Sequence, residues 1–132
     1  MIPPISYEKP YIFEFEETRL PKMTNSMMGV AKYGTIKHKH LWENTIYDAV
    51  MVKRHPMPPK PLTHAKVTLT RRSARQPDYD GLVSGFKFII DALVRNAILI
   101  DDNPSVIGTP EYKWEKAPPD GGSMKIRVEE IL

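Results

Sequence analysis

Alternating apolar and polar positions predict four β-strands in this chain. From 11 to 19, apolar and acidic residues alternate with a period of two, which is typical of a strand with one buried face. The same period recurs at 65–72. Two further strands are predicted at 105–115 and 123–131, and Asp120-Gly121-Gly122 can form the turn between them.

Helical spacing predicts two helices between these strands. Over 39–53, Trp42, Ile46, Ala49 and Val50 recur on one face. A second helix is predicted over 79–96, and its broad apolar face indicates packing on more than one side.

The remaining segments are predicted as connections. Residues 20–34 are expected to form a long loop, with a hairpin turn available at Tyr33-Gly34. The apolar run 98–100 is expected to be a short buried segment, followed by a turn at Asp101-Asp102-Asn103-Pro104.

This order of elements predicts an α+β (mixed α/β) fold, with one mixed sheet and two main helices. The 132 residues suffice for a single core, so residues 1–132 are expected to form one domain. No apolar run reaches the ~20 residues that span a bilayer, and the first residues do not resemble a signal peptide. The absence of cysteine excludes a disulfide scaffold and thiolate zinc sites. These features predict a cytoplasmic protein that does not act in a membrane.

The net charge of +3 is small, and the distribution of basic residues is more informative. Basic side chains cluster at 32–39, 53–54 and 71–75, where they could attract phosphate backbones or simply form solvated loop surfaces. The candidate DNA contacts are Lys32, Lys37, Lys39, Arg71, Arg72 and Arg75.

Polar residues form one stripe along the second predicted helix. Asp80, Ser84, Lys87 and Asp91 follow one another at intervals of four, three and four, which places them on one face. The stripe can be a solvent-facing side with an ion pair between Lys87 and Asp91, or part of a polar site.

Carboxylates before and after this helix suggest a metal site. Asp78 and Asp80 suit a helix N-terminus, and Asp101 and Asp102 suit a turn, so each pair also has a structural explanation. If the pairs meet, their repulsion favours a bound cation, and oxygen ligands favour Mg²⁺. Lys87 beside such a site could stabilise transition-state charge. With basic loops nearby, the pattern indicates a metal-dependent nuclease.

Other candidates are weaker. His38 and His40 lack an acid in register and are more typical of surface residues than of metal ligands. Tyr33 or Trp42 could stack on an unpaired base, although Trp42 is expected in the core.

The segment from 71 to 102 resembles the RusA-type Holliday junction resolvases of bacteria and their phages. That family has a D-x-D-N-L-x-K pattern opening a helix that continues to Asp-Ala-Leu, then a short apolar run ending in Asp-Asp. The matching segments here are Asp78-Tyr79-Asp80-Gly81-Leu82, then Lys87, Asp91-Ala92-Leu93 and Leu99-Ile100-Asp101-Asp102. The basic strand end at 67–72 and the early Leu20, Pro21 and Asn25 agree in outline.

The resemblance implies a homodimer, in a bacterial cell or a phage-infected host, that nicks four-way DNA junctions in recombination and repair. It implies that Asp78, Asp80 and Asp102 bind Mg²⁺ and that Lys87 assists catalysis, with Asp91 and Asp101 as secondary candidates. Two departures stand out: Ser84 occupies the usual lysine position, three residues before Lys87, and Gly81 replaces the usual asparagine. The alternatives are a junction- or single-strand-binding module that does not cut, and an interaction protein with an acidic partner.

Overall fold

The computed structural model describes residues 9–20, 32–52 and 55–132, except for some side chains at the start of the first helix. In chain order its elements are β1 (Ile12–Glu17), α1 (Lys32–Met51), β2 (Ala65–Ser73), α2 (Tyr79–Gly85), α3 (Lys87–Arg95), α4 (Pro104–Ile107), β3 (Glu111–Lys116) and β4 (Ser123–Glu130). They form one small α+β domain with a single mixed sheet, as the sequence predicts.

The strand order in the sheet is β1-β4-β2-β3. β4 lies antiparallel between β1 and β2, whereas β3 runs parallel to β2 at the sheet edge. The predicted turn at 120–122 therefore does not join two paired strands, because β2 separates β3 from β4. The connection from β2 to β3 instead carries α2, α3 and α4 across the sheet, as a parallel pair requires.

The core lies between one face of the sheet and the helices. Side chains of alternate strand residues, such as Phe13, Val67 and Ile126, are fully buried on this face. Trp42 from α1 and Leu93 from α3 are buried in the same cluster. The period-two and helical patterns thus predict the two layers of the core correctly.

The opposite face of the sheet carries charged residues of both signs. Arg127 and Lys125 on β4 both pair with Glu14 on β1, and Arg72 on β2 lies 3.5 Å from Glu16 and 3.6 Å from Glu115. These cross-strand pairs join β1, β4, β2 and β3 across this face.

The first helix is longer than predicted. α1 begins at Lys32 rather than near residue 39, so Tyr33 and Gly34 are helical and the hairpin predicted there is wrong. Apolar spacing marks only the later, buried part of this helix. The predicted loop residues 21–31, which include Pro21 and Asn25, and Lys53 lie outside the described residues.

The second predicted helix is two helices. α2 ends at Gly85 and α3 begins at Lys87, with buried Phe86 (φ −95°, ψ −1°) between them. Two glycines in α2 weaken its helical preference, which periodicity alone does not reveal. The strand predicted at 105–115 is also partly wrong, because Pro104 and Asn103 start the short helix α4 before β3.

None of the helices within the described ranges combines the length and apolarity needed to cross a membrane.

Candidate functional site

Asp78 holds the beginning of α2. Its backbone is extended (φ −70°, ψ 168°), and its Oδ1 accepts a hydrogen bond of 2.7 Å from the amide of Gly81. This is an N-cap, which satisfies an otherwise unpaired helix donor. Asp80 is exposed in the first turn, where its charge suits the helix dipole. Both acids therefore have structural roles as well as their predicted metal-binding roles.

The end of α3 reverses the chain toward the site. Ala97 adopts a left-handed conformation (φ 60°), its amide donates to Val94, and the next amide, of Ile98, donates to Leu93. This pair of bonds is a Schellman motif, which ends the helix sharply. Asn96 Nδ2 donates to the carbonyl of Glu43 at 3.1 Å and thereby ties the end of α3 to α1.

Two backbone hydrogen bonds with Leu62 hold the segment that follows this reversal. Leu62 donates to the carbonyl of Ile98, and Ile100 donates to the carbonyl of Leu62. Leu99 is buried between them, whereas Ile100 is 53% exposed, so the predicted buried segment is buried only at its first two residues. This contact sets the point from which the acid pair Asp101 and Asp102 emerges.

The two acids of this pair do different things. Asp101 uses one carboxylate oxygen to accept from the amide of Asp102 (2.7 Å) and the other to accept from Asn103 Nδ2 (2.9 Å). The hydrogen bond from the Asp102 amide holds the pKa of Asp101 below its usual value. Asp101 is therefore a turn former. Asp102 lies exposed beside it and lines two surface cavities.

The larger cavity has a volume of about 370 Å³. Ser84 on α2, Lys87 on α3 and Asp102 contribute polar groups to its lining. A smaller cavity of about 230 Å³ shares Asp102 and adds Lys39, Asp91 and Arg95. The structure thus brings three of the four stripe residues, Ser84, Lys87 and Asp91, to the neighbourhood of Asp102.

Asp91 has both acidic and basic side chains near it. Burial raises the pKa of its carboxyl, and the negative charge of Asp102 raises it further, whereas Lys87 and Lys39 lower it. Asp91 and Asp102 repel each other, and Lys87 and Lys39 lie close enough to act on Asp91. A bound cation would reduce the repulsion between the carboxylates, whereas a bound phosphate would be attracted to the lysines. A functional site and a surface charge network both fit this arrangement.

The predicted trio of metal ligands is not assembled in this chain. Over residues 9–20, 32–52 and 55–132, no group of three or more His, Asp or Glu side chains is placed to hold one metal ion. Asp78 and Asp80 are also absent from the linings of the two cavities that contain Asp102. Magnesium binding by Asp78, Asp80 and Asp102 therefore stays a prediction.

The chemistry of a smaller donor set does fit magnesium. Mg²⁺ in phosphoryl-transfer sites is commonly held by one or two carboxylates, several waters and the oxygens of the substrate phosphate. Asp91 and Asp102 line one cavity and are close enough for the charge of Asp102 to raise the pKa of Asp91. As a pair, they are the two carboxylates that the smaller cavity offers to such an ion.

Two of the predicted DNA contacts lie on different faces of the sheet. Arg71 and Arg72 are consecutive in β2 and project to opposite faces of the sheet, and Arg72 is already paired with Glu16 and Glu115. Arg75 and Lys37 are exposed, and Lys39 lines the smaller cavity. The side chain of Lys32 lies outside the described part of the structure. Among the members whose side chains are described, Lys39 is the one that lines a cavity of the candidate site.

The aromatic and histidine candidates separate clearly. Trp42 is 1% exposed and belongs to the core, as predicted, with the guanidinium of Arg19 5.7 Å from its ring centroid. His40 Nδ1 lies 3.2 Å from Glu43 on the same helix and is not part of a metal cluster within the described residues. The side chains of Tyr33 and His38 lie outside the described residues.

Two residues that line the cavities are not among the candidates that the sequence predicts. Tyr112 on β3 and Arg95 at the end of α3 line the two cavities, although neither belongs to a motif. Arg95 continues the stripe one turn after Asp91, a signal that helical spacing could have detected. Tyr112 carries no such signal, because its position depends on the parallel pairing of β3 with β2.

No known family model matches the chain, and no curated protein is significantly similar to it.

Proposed function

We propose that this protein is a Mg²⁺-dependent endonuclease that cleaves branched DNA, with four-way junctions as its main substrate. The observation that carries the proposal is the placement of Lys87, Asp91 and Asp102 around adjoining cavities. These residues come from the segment whose motif resembles the RusA-type resolvases. A symmetric dimer would present one such site to each of two opposed strands of a junction.

The charges at the site support a phosphodiester substrate. Lys39, Lys87 and Arg95 line the two cavities together with Asp91 and Asp102. The cations can hold the phosphate backbone and offset negative charge that develops on the phosphate during cleavage. Asp91 and Asp102 would hold the metal ion. When bound, magnesium supplies Lewis-acid stabilisation of the phosphate and lowers the pKa of a coordinated water.

Asp78 and Asp80 remain predicted ligands from the resemblance. Asp80 lies one helical turn before Ser84, which lines the larger cavity. Binding of an ion and DNA would have to bring Asp80 into one ligand set with Asp102.

The test is cleavage of a labelled synthetic four-way junction and of a linear duplex with the same sequences. Cleavage of the junction alone, present with Mg²⁺ and lost with EDTA, is the expected result. Asp102→Asn and Asp91→Asn are expected to lower the rate by about a hundredfold or more, because each removes a ligand charge. Asp80→Asn is expected to abolish cleavage while junction binding stays intact or becomes tighter.

Asp48→Asn is the matched control, since Asp48 is exposed on α1 and lines neither cavity. Its rate should equal that of the wild type. Normal cleavage by Asp102→Asn would overturn the proposed site, and metal-independent cleavage would overturn the proposed chemistry.

A second function needs only the cations that line the two cavities, Lys39, Lys87 and Arg95. The protein would then bind branched or single-stranded DNA without cutting it. Junction binding without cleavage at any magnesium concentration is the result that would select this function.

A further inference from the structure

The larger cavity that Asp102 lines, hereafter the base cavity, has an apolar interior that a metal site alone does not explain. Besides Ser84, Lys87 and Asp102, its lining includes the apolar side chains of Val83, Ile90, Pro104, Ile107, Pro110 and Tyr112. Small-molecule sites in proteins have this composition, an apolar lining with a few polar groups at defined positions. A phosphate or a hydrated ion would gain nothing from the apolar part.

The volume limits what the cavity can hold. At about 370 Å³ it lies at the lower end of the range of about 300–1,000 Å³ for small-molecule sites. That is enough room for one nucleotide. A planar, partly apolar group such as a nucleobase fits both this volume and the apolar lining.

Tyr112 provides a firmly held aromatic surface in this cavity. Its ring packs edge-on against Tyr79, with centroids 6.2 Å apart, and lies 6.3 Å from the ring of buried Phe86. Burial raises the pKa of its phenol, so the hydroxyl stays neutral at physiological pH. Bases stack on such rings without strong sequence preference.

The charged residues around the base cavity complement a nucleotide rather than a free base. Lys87 lines this cavity, and Lys39 and Arg95 line the smaller one, with Asp102 common to both. A base in the base cavity would have its flanking phosphates beside these three cations. The phosphate nearest Asp102 would then be next to the proposed metal ligands.

We propose that the base cavity takes one unpaired base of branched DNA, stacked on Tyr112, and so places the neighbouring phosphate beside Lys87 and Asp102. This inference rests on the proposed function, because DNA is its substrate. A base inside a duplex is stacked and paired, and extruding it costs free energy that is smallest where pairing is already broken. The cavity would therefore contribute to the preference for branch points.

The test measures junction affinity in EDTA, so that it does not depend on cleavage. One junction is intact, and a second has abasic sites in place of the bases at the branch point. The wild type should bind the abasic junction about fivefold to a hundredfold more weakly, the range expected for losing one stacked base. Tyr112→Ala should lose a similar factor on the intact junction and nothing further on the abasic one.

Two variants serve as controls. Tyr112→Phe keeps the ring and should bind both junctions as the wild type does. Tyr47→Ala removes an aromatic ring that is 53% exposed on α1, outside the cavity lining, and should also leave both affinities unchanged.

Equal wild-type affinity for the two junctions would overturn the inference. So would an equal loss on both junctions in Tyr112→Ala, which is what a purely structural role for the ring produces. A protein that discriminates against the abasic junction but never cleaves with Mg²⁺ supports the cavity and overturns the nuclease. A protein that cleaves and ignores abasic sites overturns the cavity alone.

Discussion

Two carboxylates of this chain, Glu14 and Asp91, are affected by their surroundings in opposite ways. Hydrogen bonds from Arg127 and Lys125 lower the pKa of Glu14 on the open face of the sheet. Burial and the charge of Asp102 raise the pKa of Asp91 at the candidate site. Ionised Glu14 therefore stabilises the fold, whereas the ionised form of Asp91 is disfavoured in its surroundings. A bound cation could offset this unfavourable effect.

The pairing of Glu14 makes a pH-dependent prediction. Since its folded pKa is depressed, its contribution is present above the unfolded pKa of about 4.3 and is lost as the pH falls through the folded value. Glu14→Gln should lower the free energy of unfolding by about 0.5 kcal/mol at pH 7, because the pairs are largely exposed. Urea titrations at pH 7 and at the acidic end of the folded range measure this difference.

Glu16→Gln is the natural comparison, since Glu16 is 61% exposed and lies 3.5 Å from Arg72. It should cost less at pH 7. A loss in Glu14→Gln that is as large in acid as at neutral pH would show that the side chain acts through packing and not through charge.

At the scale of the elements, α2 depends on the hydrogen bond that caps its N-terminus. It spans seven residues, two of them glycine, and the Asp78 side chain caps its N-terminus. A short helix of this composition has little stability of its own, so the cap and the packing of Leu82 hold it in place.

Replacement of Asp78 should separate capping from metal binding. Asp78→Ala should lower the free energy of unfolding by about 1 kcal/mol, since the bond to Gly81 is lost. Asp78→Asn should be close to the wild type in stability, because asparagine caps as well as aspartate. Chemical denaturation of the three proteins measures both effects.

The same two variants also test the predicted ligand role. Loss of cleavage in the stable Asp78→Asn protein would mean that the charge is needed for the reaction. Full cleavage by Asp78→Asn would show that Asp78 acts only as the N-cap of α2. Equal destabilisation by Ala and Asn would contradict the capping role itself.

The sequence predicts those elements whose buried faces leave a regular pattern. β1, β2 and β4 are located to within about two residues, since each alternates against one core. The first turns of α1 and the break at Phe86 are missed, because neither changes the apolar spacing on which the predictions depend. Parallel pairing of β3 with β2 is a long-range contact that no local pattern specifies.

The candidate site is also only partly predictable from the sequence. The stripe of Ser84, Lys87 and Asp91 and its approach to Asp102 follow from helical spacing and a short connection. The assignment of Asp101 to a turn was one of two explanations that sequence left open, and its hydrogen bonds agree with it. Tyr112 and the apolar interior of the base cavity could not be predicted, since they depend on the tertiary fold.

At the scale of the whole molecule, a small backbone contact ties the acid pair at the candidate site to the core. Leu62 and Leu99 are both buried and form an isolated parallel bridge immediately before the acid pair. The position of Asp102 therefore depends on how firmly Leu99 is held.

Leu99→Ala should lower the free energy of unfolding by about 2–5 kcal/mol, the usual cost of truncating a buried leucine. The neighbouring Ile100→Ala is the control, because Ile100 is 53% exposed and should change stability by less than about 0.5 kcal/mol. Thermal or urea unfolding of both variants measures the difference. A loss in Leu99→Ala as small as the one expected for Ile100→Ala would show that Leu99 is less tightly packed than the structure indicates.

The parallel pairing of β2 with β3 also determines when the site can exist during folding. Leu69 pairs with Tyr112 only after the intervening segment, with Asp78, Lys87, Asp91 and Asp102, has crossed the sheet. Such distant contacts form slowly compared with hairpins. A nascent chain that has not yet added β3 to the sheet edge therefore lacks one wall of the base cavity, so recognition of a substrate waits for this pairing.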